Sequence, residues 1–206
     1  MSNRVAIIDY GVGNLHSARN ALELAGAEVV VTSRAEEIVK ADRLVLPGVG
    51  AFGECAKNLR ASGVTEAIEE HVLQRGKPIF GICVGFQLLS REGHEMGIHP
   101  GLGWLPATVR KLETGGLKIP HVGWNEIEPV VDAVLFDGLR RSPTFYFTHS
   151  YALVPDEPGI DAAFCNYGER FTAAILRDNV FATQFHPEKS QENGLKILEN
   201  FLRWNP

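Results

Sequence analysis

The sequence predicts an α/β fold with a mostly parallel central sheet flanked by helices and additional antiparallel strands in the second half of the chain. In the first half, short apolar segments alternate with segments of helical spacing, the alternation that builds parallel sheets. The apolar segments lack in-and-out alternation, which suits strands covered on both faces. The 206 residues, 45% hydrophobic and 22% charged, are enough to bury a substantial core. No linker or repeat interrupts the chain, so we expect one domain over residues 1–206.

Four strand-to-helix units make up the first half. In the first unit, RVAIID precedes a helix in which Leu15, Ala18, Leu22 and either Leu24 or Ala25 share a face. The predicted strands cover residues 4–9, 28–32, 43–48 and 78–82, and the predicted helices cover 14–27, 35–41, 84–90 and two segments across 52–75. Because parallel strands end at a common edge of the sheet, the loops after these strands are expected to lie together.

The second half has a different texture, with short β-type segments separated by glycine and proline. The predicted strands cover residues 108–112, 125–130, 144–154, 162–167, 171–178 and 180–187. A final helix is predicted over residues 191–204, where Leu195, Leu198, Phe201 and Leu202 form an apolar face that can pack back on the sheet.

Charge and cysteine content exclude several classes of partner. Lysine and arginine total 20 against 25 acidic residues without a long run of either sign, so no nucleic acid is expected. No segment reaches the roughly 20 apolar residues that span a bilayer, and no leader pattern is found, so we expect an unexported, cytoplasmic protein without a membrane partner. Three dispersed cysteines fit reduced thiols better than a disulfide framework or a CxxC metal site.

Two motifs resemble cofactor or metal sites but depart from them. The GVG at residues 11–13 is followed by His16 at the third glycine position of a dinucleotide fingerprint, and the ribose-binding acid expected about 20 residues further on has no clear candidate. His94 and Glu95 resemble a zinc-protease motif, but the second histidine, His99, comes one residue too late. We therefore expect neither a cofactor nor a metal.

The segment GICVGFQ at residues 81–87 has the form of a nucleophile elbow with Cys83 as the nucleophile. A tight strand-to-helix turn would present the thiol at the sheet edge, where a helix N-terminus favours the thiolate and the Val84 N–H can bind an oxyanion. Gln87, one helical turn further on, could hold a polar group of a substrate. Taken alone, the motif is equally compatible with a buried structural cysteine.

The segment QFHPE offers a base and a carboxylate to orient it. Residues two apart on a strand point to the same side, so His186 and Glu188 are predicted to lie together where Pro187 ends a strand. With Cys83 they would complete a set in which the imidazole takes the thiol proton and the carboxylate fixes its tautomer. Alone, the segment could equally be a loop with a solvated glutamate.

The PGVG segment at residues 47–50 follows the third predicted strand and should lie at the same sheet edge as the elbow. Gly48 and Gly50 permit close backbone approach, so the Val49 N–H is the predicted second oxyanion donor. The alternative is a simple strand-ending turn.

These three motifs together resemble those of the class I (triad) glutamine amidotransferases. Four further segments are similar to the glutaminase subunits of imidazole glycerol phosphate synthases: IPHVGWN at 119–125, FYFTHSY at 145–151, CNYG at 165–168 and HPEKS at 186–190. The similarity runs from residue 5 to about residue 203.

The resemblance implies that L-glutamine is hydrolysed to glutamate and ammonia through a Cys83 thioester, with His186 as base and acid and Glu188 as its orienter. It also implies a heterodimer with a (β/α)8 cyclase subunit, which would use the ammonia to form an imidazole ring in histidine biosynthesis. The implied substrate-holding residues are Gly48, Gly50, Gln87, His149, Ser150 and Tyr151. The implied docking residues are Asn14, Pro120, Val122, Trp124, Asn125 and Lys189.

One other interpretation stays open at this point, a related subunit that supplies ammonia for a cell-surface sugar, because its triad would be identical. The segments at 119–125 and 145–151 disfavour a cysteine hydrolase that acts on another amide. A binding module on the same scaffold would lack a triad member, and none is missing here. A glutaminase that acted without its partner would waste glutamine, so we also hypothesise that the peptide between Gly48 and Val49 reorients when the partner is loaded.

Overall fold

The computed structural model describes residues 3–130 and 134–206. Its first half confirms the alternation of strands and helices. The elements are β1 (Arg4–Ile8), α1 (Leu15–Leu24), β2 (Glu28–Thr32), α2 (Ala35–Lys40), β3 (Arg43–Leu46), α3 (Phe52–Ala61), α4 (Thr65–Glu69) with a π-helical turn (Glu70–Gln74), β4 (Ile79–Ile82) and α5 (Val84–Gln87). On α1, Ala18 and Leu22 are buried, and Ala25 rather than Leu24 packs against the core.

The second half is β-rich, as predicted, and closes with a helix. Its elements are β5 (Ser90–Gly93), β6 (His99–Pro100), β7 (Leu105–Lys111), β8 (His121–Glu126), β9 (Glu128–Pro129), a 3-10 turn (Val134–Phe136), β10 (Thr144–His149), β11 (Tyr151–Pro155), β12 (Asp161–Tyr167), β13 (Glu169–Arg177), β14 (Val180–Thr183), a second 3-10 turn (Pro187–Lys189) and α6 (Gln191–Arg203). No helix among the described residues is long and apolar enough to cross a membrane.

The main sheet has eight strands in the order β2-β1-β3-β4-β14-β13-β12-β9. The first five run parallel, and β13, β12 and β9 continue the sheet with antiparallel pairings. Strands β3, β4 and β14 are buried at every residue, as expected for strands covered on both faces. The α/β fold with a parallel central sheet and added antiparallel strands is thereby confirmed.

Two smaller sheets flank the main one. A four-stranded sheet has the order β11-β7-β5-β6, and β10 pairs with β8 as an antiparallel ribbon. The sequence predicted one strand over residues 144–154, but the chain bends at Ser150 and sends β10 and β11 to different sheets. This bend sets three consecutive residues, 149–151, at a junction between sheets.

Two predicted elements end early, and both lie next to the candidate site. The helix predicted over residues 84–90 is a single turn that stops at Gln87, because Ser90 already belongs to β5. The strand predicted over residues 180–187 stops at Thr183, and Pro187 starts a 3-10 turn. A proline can begin such a turn because its missing N–H would be unpaired there in any case.

Helix α6 packs against the 3-10 turn at Pro187–Lys189 and supports it. A Cβ atom built on Gly194 would lie 1.9 Å from the Pro187 carbonyl oxygen, so only glycine permits this approach. The far end of α6 is bound to the sheet through the buried Arg43 of β3, whose guanidinium donates to the carbonyls of Phe201 and Trp204 at 3.0 and 2.7 Å. The helix therefore links the base of the sheet to the loop that carries His186.

Candidate active site

The predicted elbow is present, and its backbone is strained. Cys83 lies between β4 and α5 with φ 55° and ψ −112°, a positive-φ conformation that residues with a side chain rarely adopt. Its N–H donates to the Thr183 carbonyl of β14 at 2.8 Å, and its carbonyl accepts the Gln87 N–H at 3.1 Å. The thiol is free and its residue is 3% exposed. Because α5 has only one turn, its dipole contributes less to this site than the predicted longer helix would.

Two glycines allow the elbow to press against the loop after β3. A Cβ atom on Gly85 would lie 1.8 Å from the Leu46 carbonyl oxygen, and one on Gly48 would lie 2.5 Å from the Gly85 nitrogen. Atoms cannot approach so closely without a shift of the backbone. The glycine pattern of both motifs thus brings the PGVG loop into direct contact with the nucleophile turn.

His186 and Glu188 lie together, although not for the predicted reason. The strand has ended before His186, and the pair is formed by the 3-10 turn, with His186 Nδ1 2.7 Å from Glu188 Oε1. The His186 backbone is held by its N–H, which donates to the Tyr146 carbonyl at 2.9 Å, and by its carbonyl, which accepts the Ser190 hydroxyl at 2.6 Å. Both side chains of the pair are buried.

The second ring nitrogen of His186 is free to act on the thiol. With Nδ1–H donated to the carboxylate, Nε2 carries the lone pair, and it is buried without a hydrogen-bond partner among the described residues. Burial acts to lower the pKa of His186, but the neighbouring Cys83 sulfur and the Glu188 carboxylate outweigh burial and raise that pKa. The imidazole is therefore suited to take up a proton beside the sulfur.

The two predicted oxyanion donors do not converge in this structure. The Val84 N–H donates to the Gly48 carbonyl at 3.3 Å, so a backbone acceptor already occupies the first donor. In a planar trans peptide the carbonyl and the N–H point in opposite directions, so the Val49 N–H faces away from Val84. The side chains around the sulfur are thus in place, whereas the backbone donors are not.

A cavity of about 250 Å³ opens at the sulfur. Its lining contains most of the residues predicted to hold substrate, together with three that were not assigned to it. The lining residues are Val49, Gly50, Cys83, Val84, Gln87, Glu95, Pro120, Thr148, His149, Ser150, Tyr151 and His186. Pro120 was predicted as a docking residue, and Glu95 and Thr148 were not predicted at all. Glu95 is the one acidic residue among the described residues of this lining, and its Oε2 accepts the Phe52 N–H of α3 at 2.7 Å.

The amide of Gln87 is oriented by the protein rather than free. Its Nε2 donates to the Tyr151 carbonyl at 3.0 Å and to Gln184 Oε1 at 2.9 Å, and Gln184 Nε2 is 3.7 Å from the Cys83 sulfur. Both amide hydrogens are consumed by these bonds, which leaves the Gln87 oxygen to receive a donor from a ligand.

A pair of neutral histidines supports the cavity wall at Tyr151. His149 Nδ1–H donates to the Tyr151 carbonyl at 2.9 Å, so His149 Nε2 must accept from His121 Nδ1–H at 3.0 Å. Asn125 Nδ2 then donates to His121 Nε2 at 3.3 Å. Burial lowers the pKa of His121 to about 4 and that of His149 to about 3, which keeps both rings neutral. Both ring nitrogens of His149 have protein partners, which leaves the backbone of this lining residue to bind a substrate.

Most of the predicted docking residues lie on or beside the β8–β10 ribbon. Val122 and Trp124 are 55% and 48% exposed on β8. Trp124 meets Tyr146 of β10 edge to face at 6.2 Å between ring centroids, and the Lys189 ammonium lies 5.8 Å from the Tyr146 ring centroid. Asn14 is exposed at the start of α1, which contacts the Pro187–Lys189 turn. Asn125 instead turns inward to His121 and to the Asn166 carbonyl.

Fold and sequence together define the class of protein to which this chain belongs. The family model described as glutamine amidotransferase class-I matches residues 6–204, and the chain belongs to that family. The fold is shared with a chain of the PurLQS structure from Thermotoga maritima (TM-score 0.75, 20% identity, 98% of this chain and 99% of that one). It is also shared with a solved glutamine amidotransferase (TM-score 0.71, 23% identity, 96% and 98%).

Curated relatives narrow the assignment. The chain is 49% identical to the imidazole glycerol phosphate synthase subunit HisH of Rhodospirillum rubrum, over 98% of this chain and 100% of the relative. It is 49% identical to the HisH subunit of Caulobacter vibrioides over 98% and 99%, and 47% identical to that of Zymomonas mobilis over 100% and 98%. Within the class I amidotransferases, this chain is therefore a member of the HisH family.

Proposed function

We propose that this chain is the glutaminase subunit of an imidazole glycerol phosphate synthase and hydrolyses L-glutamine to glutamate and ammonia. The observation that carries the proposal is that Cys83, on its strained turn, and His186 line one cavity, while the Glu188 carboxylate lies 2.7 Å from His186 Nδ1. The other ring nitrogen of His186, Nε2, has no hydrogen-bond partner among the described residues. This arrangement supplies a nucleophile, a base and an orienter for the base.

The reaction uses one proton acceptor twice. His186 Nε2 takes the thiol proton as the Cys83 sulfur attacks the side-chain amide carbon of glutamine, which forms a tetrahedral oxyanion. The imidazolium then protonates the departing nitrogen, the C–N bond breaks, and ammonia leaves a thioester on the sulfur. Water gives a proton to His186 and attacks the thioester to form a second tetrahedral oxyanion. The C–S bond then breaks to release glutamate, and the imidazolium returns its proton to the departing sulfur, which restores the thiol and the neutral base.

Stabilising the oxyanion requires a conformation other than the one described. We propose that the Gly48–Val49 peptide rotates, which withdraws the Gly48 carbonyl from the Val84 N–H and turns the Val49 N–H toward the same point. Two backbone donors would then face the developing charge. With the peptide in its present orientation, a carbonyl oxygen lies at the donor that the oxyanion needs, so the chain without its partner should hydrolyse glutamine slowly.

The cavity offers matching groups for the other end of glutamine. We propose that the Glu95 carboxylate binds the α-ammonium and that the Gln87 oxygen accepts a further N–H of the substrate. Gly48, Gly50 and the backbone at His149, Ser150 and Tyr151 would hold the rest, since all but Gly48 line the same cavity. The acidic lining residue favours a substrate with a cationic group over a simple primary amide.

A protected route for the product calls for a partner on this face. Ammonia released into neutral water becomes mostly ammonium, which is not a nucleophile, so it must pass directly to the enzyme that uses it. We propose that this partner is a (β/α)8 cyclase subunit in a cytoplasmic heterodimer, with residues 1–206 acting as one amidotransferase domain and the cyclase performing the lyase step of histidine biosynthesis. The proposed docking residues are Asn14, Pro120, Val122, Trp124, Asn125 and Lys189.

The test is an assay of ammonia production from L-glutamine with the matching cyclase and its nucleotide substrate present. We expect stoichiometric glutamate and imidazole product. Glutaminase activity without imidazole formation would identify another synthase as the partner, and absence of any ammonia release would refute the glutaminase function.

A further inference from the structure

Three consecutive carbonyls of the PGVG loop are each bound by a donor. The Pro47 carbonyl accepts the Tyr10 hydroxyl at 2.7 Å, and the Val49 carbonyl accepts the Cys55 thiol at 3.3 Å. Between them, the Gly48 carbonyl accepts the Val84 N–H at 3.3 Å. The outer two donors are side chains from the loop after β1 and from α3, neither of which belongs to the triad or to the cavity lining.

Both side chains remain donors at any pH at which the protein works. Burial, followed by the neighbouring Cys55, raises the pKa of Tyr10 far above its usual range. Burial likewise raises the pKa of Cys55 to about 11. Each group has a single hydrogen, and each hydrogen is directed at one loop carbonyl. The two side chains also contact one another, so they form one buried unit behind the loop.

The arrangement separates the loop into two fixed peptides and one that can turn. Rotating the Gly48–Val49 peptide changes only ψ of Gly48 and φ of Val49, and it leaves the Pro47 and Val49 carbonyls where they are. Gly48 lacks a Cβ, which removes the usual steric barrier on one side of that peptide. The bond that holds its carbonyl in the present orientation is the one from Val84.

We propose that Tyr10 and Cys55 are positioning residues that clamp the peptides on either side of Gly48–Val49, so that reorientation is confined to that peptide and delivers the Val49 N–H to one place. The inference rests on the proposed glutaminase function and names the side chains that make its oxyanion site accurate. Because both bonds persist in either orientation, the clamp acts on the placement of the donor and leaves glutamine binding unchanged.

The first test is steady-state hydrolysis of glutamine by the complex with the cyclase. For Tyr10→Phe and for Cys55→Ala we expect kcat to fall about threefold to tenfold, the effect of losing one positioning hydrogen bond, with KM within about twofold of wild type. Cys55→Ser keeps a donor at the same place and should retain most of kcat. Cys165→Ala, which removes a buried thiol from β12 far from the loop, is the matched control and should behave as wild type.

The second test does not depend on turnover. Alkylation of Cys83 by iodoacetamide displaces iodide at a saturated carbon and forms no oxyanion, so its rate should be the same in all these variants. Exchange of the Val84 amide hydrogen, followed by NMR, should be faster in Tyr10→Phe because the loop carbonyl that protects it is less firmly held.

The clamp is refuted if Cys55→Ser and Cys55→Ala lose the same activity, or if Tyr10→Phe changes neither kcat nor Val84 exchange. A parallel loss of Cys83 alkylation would show that the elbow itself had been disturbed and would also refute it. Failure of the glutaminase proposal is recognised separately, because the wild-type complex would then release no ammonia, while the exchange measurement would still report on the clamp.

Discussion

The two sides of the Cys83 sulfur differ in how much of their chemistry is in place. On the histidine side, His186 is already bound to Glu188, and its second ring nitrogen has no partner among the described residues and belongs to the cavity that Cys83 lines. On the loop side, the Gly48 carbonyl occupies the Val84 N–H, and the second backbone donor points away. In the proposed mechanism, the nucleophile and its base are therefore in place before the backbone donors that would stabilise the oxyanion.

The difference has a structural cause. His186 and Glu188 are two residues apart, and one 3-10 turn supported by α6 fixes both. The proposed oxyanion site instead needs backbone N–H groups from two loops that are far apart in the sequence, and it depends on the orientation of a peptide beside a glycine. A rigid half and an adjustable half allow the proposed partner to control hydrolysis through one backbone rotation.

Removing the nucleophile should have the largest effect and tests the side that is in place. We expect Cys83→Ala to lower glutamine hydrolysis at least about 10⁴-fold, because Cys83 is the one thiol among the described residues that line the cavity. The cyclase complex should still form and should still make imidazole product from added ammonium salts. The measurement is product formation with glutamine or with ammonia as nitrogen source.

Loss of the ammonia-dependent reaction as well would mean that Cys83 is needed for docking or folding rather than for chemistry. Cys165→Ala should keep both activities, since that thiol lies on β12 away from the cavity.

Glu188→Gln should have the next largest effect and weakens the histidine side alone. An amide can donate to Nδ1, which moves the ring proton to Nε2 and removes the acceptor for the thiol proton. We expect kcat to fall about 10²–10⁴-fold, with a slower alkylation of Cys83 by iodoacetamide because less thiolate forms. Unchanged alkylation would contradict the role of Glu188 as orienter.

The cyclase partner should change the PGVG loop beside Cys83 and leave His186 and Glu188 unchanged. Without the loaded cyclase we expect glutamine hydrolysis to be about 10²–10³-fold slower, the effect of a missing oxyanion donor. Alkylation of Cys83 should proceed at the same rate with and without the cyclase, since it needs no oxyanion site. Equal hydrolysis rates under both conditions would remove the proposed rotation.

The sequence predicts the local parts of this site better than the long-range parts. The strained turn at Cys83 is confirmed, because the glycines that permit it lie within two residues of the cysteine. The closeness of His186 and Glu188 was predicted, but the strand given as its reason was wrong, since Pro187 starts a turn.

Parts of the site that depend on contacts between segments far apart in the sequence cannot be predicted from the spacing of residues within one motif. The Gly48 carbonyl meets the Val84 N–H only because β3 and β4 are neighbours in the sheet and end together. Glu95 reaches the cavity from the irregular segment after β5, and its sequence neighbours resemble only an imperfect zinc motif. His121 meets His149 through the register of β8 with β10, which pairs these two residues directly.

The smallest effect is expected at that histidine pair, which supports a wall of the cavity that belongs to neither side of the sulfur. His121→Phe keeps the stacking on Tyr167, whose ring centroid is 4.0 Å away, but removes the bonds to His149 and Asn125. We expect kcat to change less than about fivefold and the free energy of unfolding near neutral pH to fall by about 1–3 kcal/mol.

The pH dependence of that loss distinguishes a buried neutral histidine from a simple packing defect. The folded pKa of His121, about 4, lies below the unfolded value near 6.5, so the unfolded chain binds the extra proton between these values. The free energy of unfolding of the wild-type protein therefore decreases as the pH falls from about 6.5 toward 4. The His121→Phe variant has no imidazole at this position, so this contribution to the decrease is absent from it. The stability gap between the two proteins should shrink by up to about 1.4 kcal/mol per pH unit in this range, measured by urea unfolding. A gap that stays constant across this range would show that the pKa of His121 is not lowered in the folded protein, and the buried, neutral hydrogen-bond chain to Tyr151 would have to be abandoned.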